Sequence, residues 1–307
     1  MNRLDVLVAG ELYVDLILSG FDFWPQPGQE AYAKEFRRDI GGGAAITASG
    51  LATLGLMTGI FAVAGSDHHD WMGARLIERG VDTSELLVDP VEPTAFTVAI
   101  STPQERTFFT YTGSNRRFPR AVAQAARGGQ LARARHAHLA YAPSWDVAEE
   151  LFENIHENGC TLSLDAGWHE DWLTDRRAPS LLPLVDVFFP NEMEAARMTG
   201  AHDPEEMLHR FAQAGLRCVA LKLGARGSAA LCGEEFVYAP PINVEPVDTT
   251  GAGDCFNAGF LYGWLNDQPI ETCLRIGNVC GGLSTEEYGG IAGFPGPARL
   301  RRELERG

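Results

Sequence analysis

The feature that most constrains this chain is an alternation of short, largely apolar runs with amphipathic segments. Leu4–Ala9, Gly59–Ala64, His136–Tyr141, Thr161–Leu164, Val185–Phe189, Cys218–Leu223 and Ala229–Cys232 read as strands. Between them apolar residues recur at helical spacing near Ala44–Leu54, Trp71–Arg79, Val147–Asn158, Glu205–Ala214, Cys255–Leu265 and Ile270–Glu287. A near-continuously apolar strand needs cover on both faces, and helices between strands supply the crossovers that parallel pairing requires. The chain is therefore expected to be α/β, a mostly parallel central sheet in a three-layer α/β/α arrangement. Its 307 residues suit one such domain over 1–307.

One region breaks the rhythm. Thr94–Ile100 and Arg106–Thr112 are alternating β segments joined by a polar turn, STPQE, and Glu30–Ile40 is strand-like with no helix before it. These pieces are expected to form a small separate sheet, built from about 12–40 and 92–112, that acts as a lid over one edge of the domain. Phe96, Val98, Phe108 and Tyr111 are candidates for an apolar face on it that would pair two subunits into a homodimer.

Composition narrows the partners. No apolar run approaches the ~18 residues of a membrane helix, and the start MNRLDVLVAGELYVD reaches acidic residues at once without a signal-peptide pattern, so a cytoplasmic protein is expected. Net charge is −16, which repels a polyphosphate backbone and argues against nucleic acid as a partner. Lys34 and Lys222 are the only lysines. The six cysteines form no CxxC pair and read as buried thiols. His68, His69 and His169 show no metal-ligand spacing. A small anionic ligand would need backbone N–H groups, a metal or a few arginines, which directs attention to glycine-rich turns.

The strongest of these is Asp248-Thr-Thr-Gly-Ala-Gly-Asp254, followed by CFNAGFLYGWL, whose Phe256, Phe260, Leu261 and Trp264 fall at helical spacing. Gly251 and Gly253 permit a tight turn and a close approach to a ligand. The helix that follows aims unpaired N–H groups and the positive end of its dipole at that turn, an anion hole made of backbone. Asp254 then reads either as an N-cap or as a base that takes a proton from an attacking hydroxyl, since a carboxylate does not bind phosphate. Elsewhere, Gly41-Gly42-Gly43 before a small-residue helix is either a flexible loop or a place of close ligand approach. Asp15 in GELYVD is either a solvated loop acid or a ligand for two vicinal hydroxyls. Asn191-Glu-Met-Glu194 is either a helix start with acidic first-turn residues or a source of hard oxygen ligands. Lys222-Leu-Gly224-Ala-Arg-Gly227 closes a strand as a turn.

The string DTTGAGD with an FxxGF helix resembles the C-terminal signature of the ribokinase-like (PfkB) carbohydrate kinases. GGGAAITA leading to LATLG resembles that family's N-terminal signature, NEME its NxxE motif, and KLGARG its nucleotide-binding turn. The resemblance runs from Gly10 to Gly290 in the family's order, and it implies a ribokinase-like three-layer fold with a small β-sheet lid. It further implies Asp254 as catalytic base and Gly251, Ala252 and Gly253 as the anion hole. Asp15 and Gly41, Gly42 and Gly43 would hold the acceptor. Asn191, Lys222, Gly224, Gly227 and Asn278 would line ATP, with Glu194 ordering Mg2+, partly through water. Some members bind K+ with the Asp248 region and the loop after the Asn278 helix, here STEEYGG, so the resemblance extends to a K+ site there.

Two departures bear on the substrate. Many sugar-specific members carry Asn, which holds sugar hydroxyls, where this chain has Ile46. The family often shows DxNxR where this chain reads Asp165-Ala-Gly-Trp168-His169, and Trp168 either stacks on a ring or packs against protein. There is no GxxxxGK[ST] and no HRD…DFG set. The expected activity is ATP-dependent phosphorylation of a hydroxyl, primary by preference, of a sugar or sugar derivative. The alternatives are a nucleoside kinase of the same fold and a ligand-binding homologue without catalysis, against which the intact 248–254 string argues.

Overall fold

The run Leu4-Asp-Val-Leu-Val-Ala-Gly10 becomes a central strand because both of its faces are covered. In the computed structural model, which describes residues 3–101 and 106–306, Leu7 and Ala9 pack with Phe61, Phe118, Phe152 and Leu164 on one side. Val6 and Val8 pack with Ala45, Ile60, Phe189 and Phe260 on the other. In chain order the strands are β1 (Leu4–Gly10), β2 (Tyr13–Ser19), β3 (Glu35–Gly41), β4 (Thr58–Gly65), β5 (Asp82–Asp89), β6 (Phe96–Ser101), β7 (Arg106–Tyr111), β8 (Ala134–Ala140), β9 (Thr161–Leu164), β10 (Val187–Phe188), β11 (Cys218–Lys222), β12 (Ser228–Cys232) and β13 (Glu235–Ala239). The α-helices are α1 (Gly43–Thr53), α2 (His69–Ile77), α3 (Phe118–Arg127), α4 (Trp145–Glu157), α5 (Glu170–Leu173), α6 (Ala178–Leu181), α7 (Glu192–Thr199), α8 (Pro204–Gln213), α9 (Ala252–Leu265), α10 (Ile270–Ser284) and α11 (Pro297–Arg306).

The main sheet has nine strands in the order β13-β12-β11-β10-β9-β8-β1-β4-β5. It is parallel from β11 to β5, and β12 and β13 add antiparallel at one edge. Residues of α3, α4 and α8 pack into the first core cluster, and residues of α1, α2, α9 and α10 into the second. The chain is thus the expected three-layer α/β/α fold. From β1 the chain steps to β4 on one side, while β8 and β9 build outward on the other. That reversal leaves a crevice at the carboxyl ends of β1 and β8, where open α/β sheets bind ligands.

A second sheet has four strands in the order β3-β2-β6-β7. On one face Asp15 stands opposite Asp39 and Thr97, and Ile17 opposite Arg37 and Ala99. The other face carries Leu16, Leu18, Phe36, Phe96, Val98 and Phe109, with Phe36 62% and Phe109 54% exposed. Phe96, Val98 and Tyr111 share this outer face as expected, but Phe108 does not. Successive residues of a strand point to opposite faces, so Phe108 lies beside Ala99 and Phe109 takes its place.

The expected Glu30–Ile40 strand begins only at Glu35, and its partner β2, within the 12–40 segment assigned to the lid, was not singled out as a strand, because Asp15 in GELYVD reads as a loop acid or a ligand. The expected strand Val185–Phe189 shrinks to Val187–Phe188, as Pro190 cannot extend the ladder. β5 and β13 were also not anticipated; both are edge strands with polar residues on the open side. The STPQE turn lies, after Ser101, outside the described residues. Cys160, Cys255, Cys273 and Cys280 are buried thiols as expected. Cys218 and Cys232 are not: they face each other across β11 and β12 and are joined as a disulfide. Fourteen residues apart in sequence, they become neighbours only through the hairpin register.

Candidate active site

Gly251 caps α9 in the left-handed region, φ 72° and ψ 4°. A Cβ there would stand 2.7 Å from Ile46 Cδ1 and 2.8 Å from Gly290 Cα. Glycine is therefore required twice over, by backbone conformation and by space. Ile46 is buried in this contact with Cys255 and Ile291, so the position that carries Asn in many similar kinases serves here as packing under the turn. The Ala252 N–H donates to the Thr249 carbonyl at 3.3 Å. The N–H groups of Gly253 and Asp254 follow in the first helical turn, where an α-helix offers no carbonyl.

The Asp254 side chain turns into the crevice. Its Oδ1 lies 2.7 Å from where a Cβ on Gly43 would sit, and Ala140 Cβ lies 3.6 Å from that same point. The carboxylate is therefore at the end of β8, against the first residue of α1, at the topological reversal. Thr47 of α1 donates to the Asp254 carbonyl at 3.2 Å and joins the two helices. Burial, with Asp165 and Glu194 adding like charge, pushes the Asp254 pKa up to about 7; Lys222 opposes them.

Lys222 ends β11 and is the cation of this cluster. Its ammonium donates to Asp165 Oδ2 at 2.6 Å, and its Nζ lies 3.4 Å from where a Cβ on Gly253 would sit. Asp165 also accepts from Asn257 Nδ2 at 2.6 Å and from the Gly167 N–H at 3.1 Å. Although burial opposes it, Lys222, Asn257 and His138 hold the Asp165 pKa below the usual carboxylate value. Asn191 bridges to Lys222 by a parallel backbone pair. Its side chain accepts from the Glu194 N–H at 2.9 Å, and the Glu194 carboxylate accepts from the Asn191 N–H at 2.8 Å. NEME is thus a complete capping box, the helix-start reading of that motif. It also fixes a buried carboxylate beside Lys222, and burial raises the Glu194 pKa.

On the small-sheet side, Asp15 lies against Gly41, whose Cβ would fall on its carboxylate. Gly42, at φ 97°, has no room for a Cβ against the Glu11 carbonyl. Burial, with Asp39 opposite on β3 and Asp248 beyond, raises the Asp15 pKa to about 7. Sequence reasoning missed Asp39, which only the register of β3 against β2 places opposite Asp15. It missed Asn257 too, whose signal is an amide inside the otherwise apolar CFNAGF. The Arg37 guanidinium lies 4.8 Å from the Tyr288 ring centre, a contact between β3 and the loop after α10.

Toward β13, Gly224 at φ 59° has open space around it, while Gly227 at φ 83° backs onto the Ala239 carbonyl. Asn278 donates to the carbonyls of Ala239 at 3.1 Å and Pro240 at 2.9 Å, tying α10 to the end of β13. Asp248 accepts from the N–H groups of Thr250 and Gly289, both at 2.8 Å, and so joins the glycine turn to the loop after α10. The site residues thus fall into three neighbouring groups: Asp254, Lys222, Asn191 and Glu194 at the carboxyl ends of the strands, Asp15 with Gly41–Gly43 under the small sheet, and Gly224, Gly227 and Asn278 toward β13. Among the described residues no group of three or more His, Cys, Asp or Glu side chains could hold a metal ion by itself.

Comparison with known proteins identifies the family and the fold. The pfkB family carbohydrate kinase pattern matches residues 3–296, and the chain belongs to that family. It is 30% identical over 287 residues to an ATP-dependent ribose-1-phosphate kinase of Halopiger xanaduensis, covering 92% of this chain and 93% of that one. It is 27% identical over 295 residues to a nucleoside kinase of Methanothermobacter thermautotrophicus, covering 95% and 92%. A shorter match, 40% over 115 residues, covers 38% of this chain and 46% of an uncharacterised sugar kinase of Archaeoglobus fulgidus. A candidate ribokinase II of E. coli, solved in complex with ATP and Mg2+, superposes with a TM-score of 0.83 at 24% identity over 99% of this chain and 100% of that one. No helix among the described residues is long and apolar enough to cross a membrane.

Proposed function

We propose that this chain is an ATP-dependent phosphotransferase that phosphorylates a hydroxyl, by preference primary, of a sugar or sugar derivative, with Asp254 as general base. The observation that carries this reading is the Asp254 carboxylate itself. It points into the crevice against Gly43, in the first turn of a helix whose N–H groups suit an anion, and burial pushes its pKa up to about 7, a range that suits a general base.

In this reading the γ-phosphate of ATP meets the N–H groups of Gly253 and Asp254. Gly251 shapes the turn, and Ala252, whose N–H is bonded to Thr249, supports it. Lys222 neutralises phosphate charge, and the backbone at Gly224 and Gly227 runs beside the nucleotide. Asn278 holds the Ala239–Pro240 end of that wall. Glu194 is a hard oxygen donor suited to Mg2+, which keeps most of its waters and spreads its charge over the phosphates. Asp248 with the loop to Gly289 is the place for a K+ ion. Asp15 and Gly41–Gly43 hold the acceptor so that its hydroxyl reaches Asp254, which takes the proton as the oxygen attacks in line. The four-stranded sheet acts as a lid within the single domain, excluding water and limiting hydrolysis of ATP. Its outer apolar face is covered by a second copy of the chain, a homodimer. The reading places the protein in the cytoplasm, where ATP is supplied.

Ile46 favours keeping nucleosides beside sugars as acceptors, since the amide that would read a sugar hydroxyl from this position is replaced by a buried alkyl group. The test is ADP release against a panel of sugars, sugar acids, sugar phosphates and nucleosides, with Asp254→Asn as control. Acceptor-dependent ADP release that vanishes in the control is expected. Ligand binding with no ADP from any acceptor would show a binder that has lost catalysis.

A further inference from the structure

We infer that Asp165, braced by Asn257, is a positioning residue: it holds the Lys222 ammonium over the first turn of α9 and off the Asp254 carboxylate, so that the base stays unpaired. The inference rests on the reading of Asp254 as base.

The charged groups facing Asp254 are Asp165 after β9, Glu194 from α7 and Lys222 from β11. From α1 come only Gly43 and the Thr47 hydroxyl, the latter spent on backbone. His138 of β8 lies near Asp165 and Lys222 and is kept neutral by burial, its pKa pushed down to about 4. One ammonium therefore serves three carboxylates. Left to itself it would pair with Asp254, occupy the lone pair needed for the proton and pull the pKa of the base down. The contact it makes is with Asp165, at 2.6 Å.

Asp165 is equipped for this. Asn257 and the Gly167 N–H both donate to it, so its charge is held where Lys222 must come. The buried Asn257 Oδ1 has no hydrogen-bond partner. Such an orphan is costly, and turning the amide round would aim its oxygen at the Asp165 carboxylate. The orientation is explained by the need to hold Asp165. An ammonium has three donors, and Asp165 takes one. The Nζ, 3.4 Å from where a Gly253 Cβ would be, has the others available where the transferring phosphoryl group lands.

The test is Asp165→Asn, followed through the pH dependence of kcat/KM. Removing one like charge and releasing Lys222 toward Asp254 both lower the pKa of the base, so the acid limb moves to lower pH by about one unit. Turnover falls at least ~10-fold while KM for the acceptor is unchanged. In Lys222→Met/Asp165→Asn the buried ion pair is removed as a unit rather than broken, which favours folding over loss of one partner, and the limb returns toward its original place while turnover stays low. Should Asp165→Asn not fold, Asn257→Ala carries the same test, with a smaller shift in the same direction. An unmoved acid limb, whatever the rate, overturns the positioning role, as does a double variant whose limb coincides with that of Asp165→Asn. An Asp254→Asn enzyme of normal turnover would instead remove the base reading beneath it.

Discussion

Asp254→Asn separates chemistry, binding and stability in one substitution. A positioned general base is worth ~10²–10⁴-fold, or about 3–5 kcal/mol of barrier, so turnover is expected to fall at least ~100-fold. ATP binding should hold or tighten slightly, because one negative charge leaves the phosphate site. The carboxylate pKa stands near 7 against the ordinary 3.8, raised first by burial and then by Asp165 and Glu194. A rise of about three pH units corresponds to at most ~4 kcal/mol, and solvent at the half-buried carboxylate screens this to ~1–2 kcal/mol. The sign follows from proton linkage. The folded state binds the proton more tightly than the unfolded state, so this group's contribution to stability is full below pH 4 and is lost as pH rises to 7. The Asn variant lacks that loss. Its thermal midpoint should exceed that of the parent at pH 8, with the gap closing toward pH 5. Parent activity should also fall about tenfold per pH unit below 7 as the base protonates. Steady-state kinetics, ATP titration and thermal melts over pH 5–8 supply all three readouts. A variant with near-normal turnover, or one less stable than the parent at pH 8, would refute the argument.

The two glycines of the turn should respond in opposite ways. Gly251→Ala forces a side chain into left-handed backbone and against Ile46 and the Gly290 backbone, so a loss of at least ~2 kcal/mol in denaturant unfolding is expected. Gly253→Ala places a methyl at ordinary contact, 3.4 Å from Lys222 Nζ, inside a helix that prefers alanine, so stability should hold while turnover drops about tenfold or more. In the proposed reading Asp15 accepts the acceptor's hydroxyls, so Asp15→Asn should raise KM for the acceptor ~10–100-fold with KM for ATP unchanged. Since burial and Asp39 raise the Asp15 pKa to about 7, the parent's acceptor KM should also climb below that pH. Phe36→Glu with Phe109→Glu should yield monomers in sedimentation if the outer face of the small sheet joins two chains; an unchanged sedimentation coefficient would remove that interface.

What could be read from the residues, and what could not, divides along the range of the interactions. The β1 run and the 248–254 turn are local statements: a strand apolar on both faces is central, and two glycines before an apolar helix make a tight turn at its N-terminus. Both stand in the structure where the pattern puts them. Asp15, Asp39, Phe108 and Phe109 are decided by pairing register across β3-β2-β6-β7. Nothing within one strand announces its register, so Phe108 was assigned to the wrong face and Asp39 was passed over. The same holds for Cys218 and Cys232, adjacent only across a hairpin. Asp165 is the instructive case, because its strand and its charge were plain while its partners were not. Lys222 is 57 residues away and Asn257 92 residues away, and they reach it because β9, β11 and α9 all end or begin at one rim of the sheet. A parallel sheet collects distant side chains along that rim. The charge balance around Asp254 is therefore a property of the strand order, which no single motif contains.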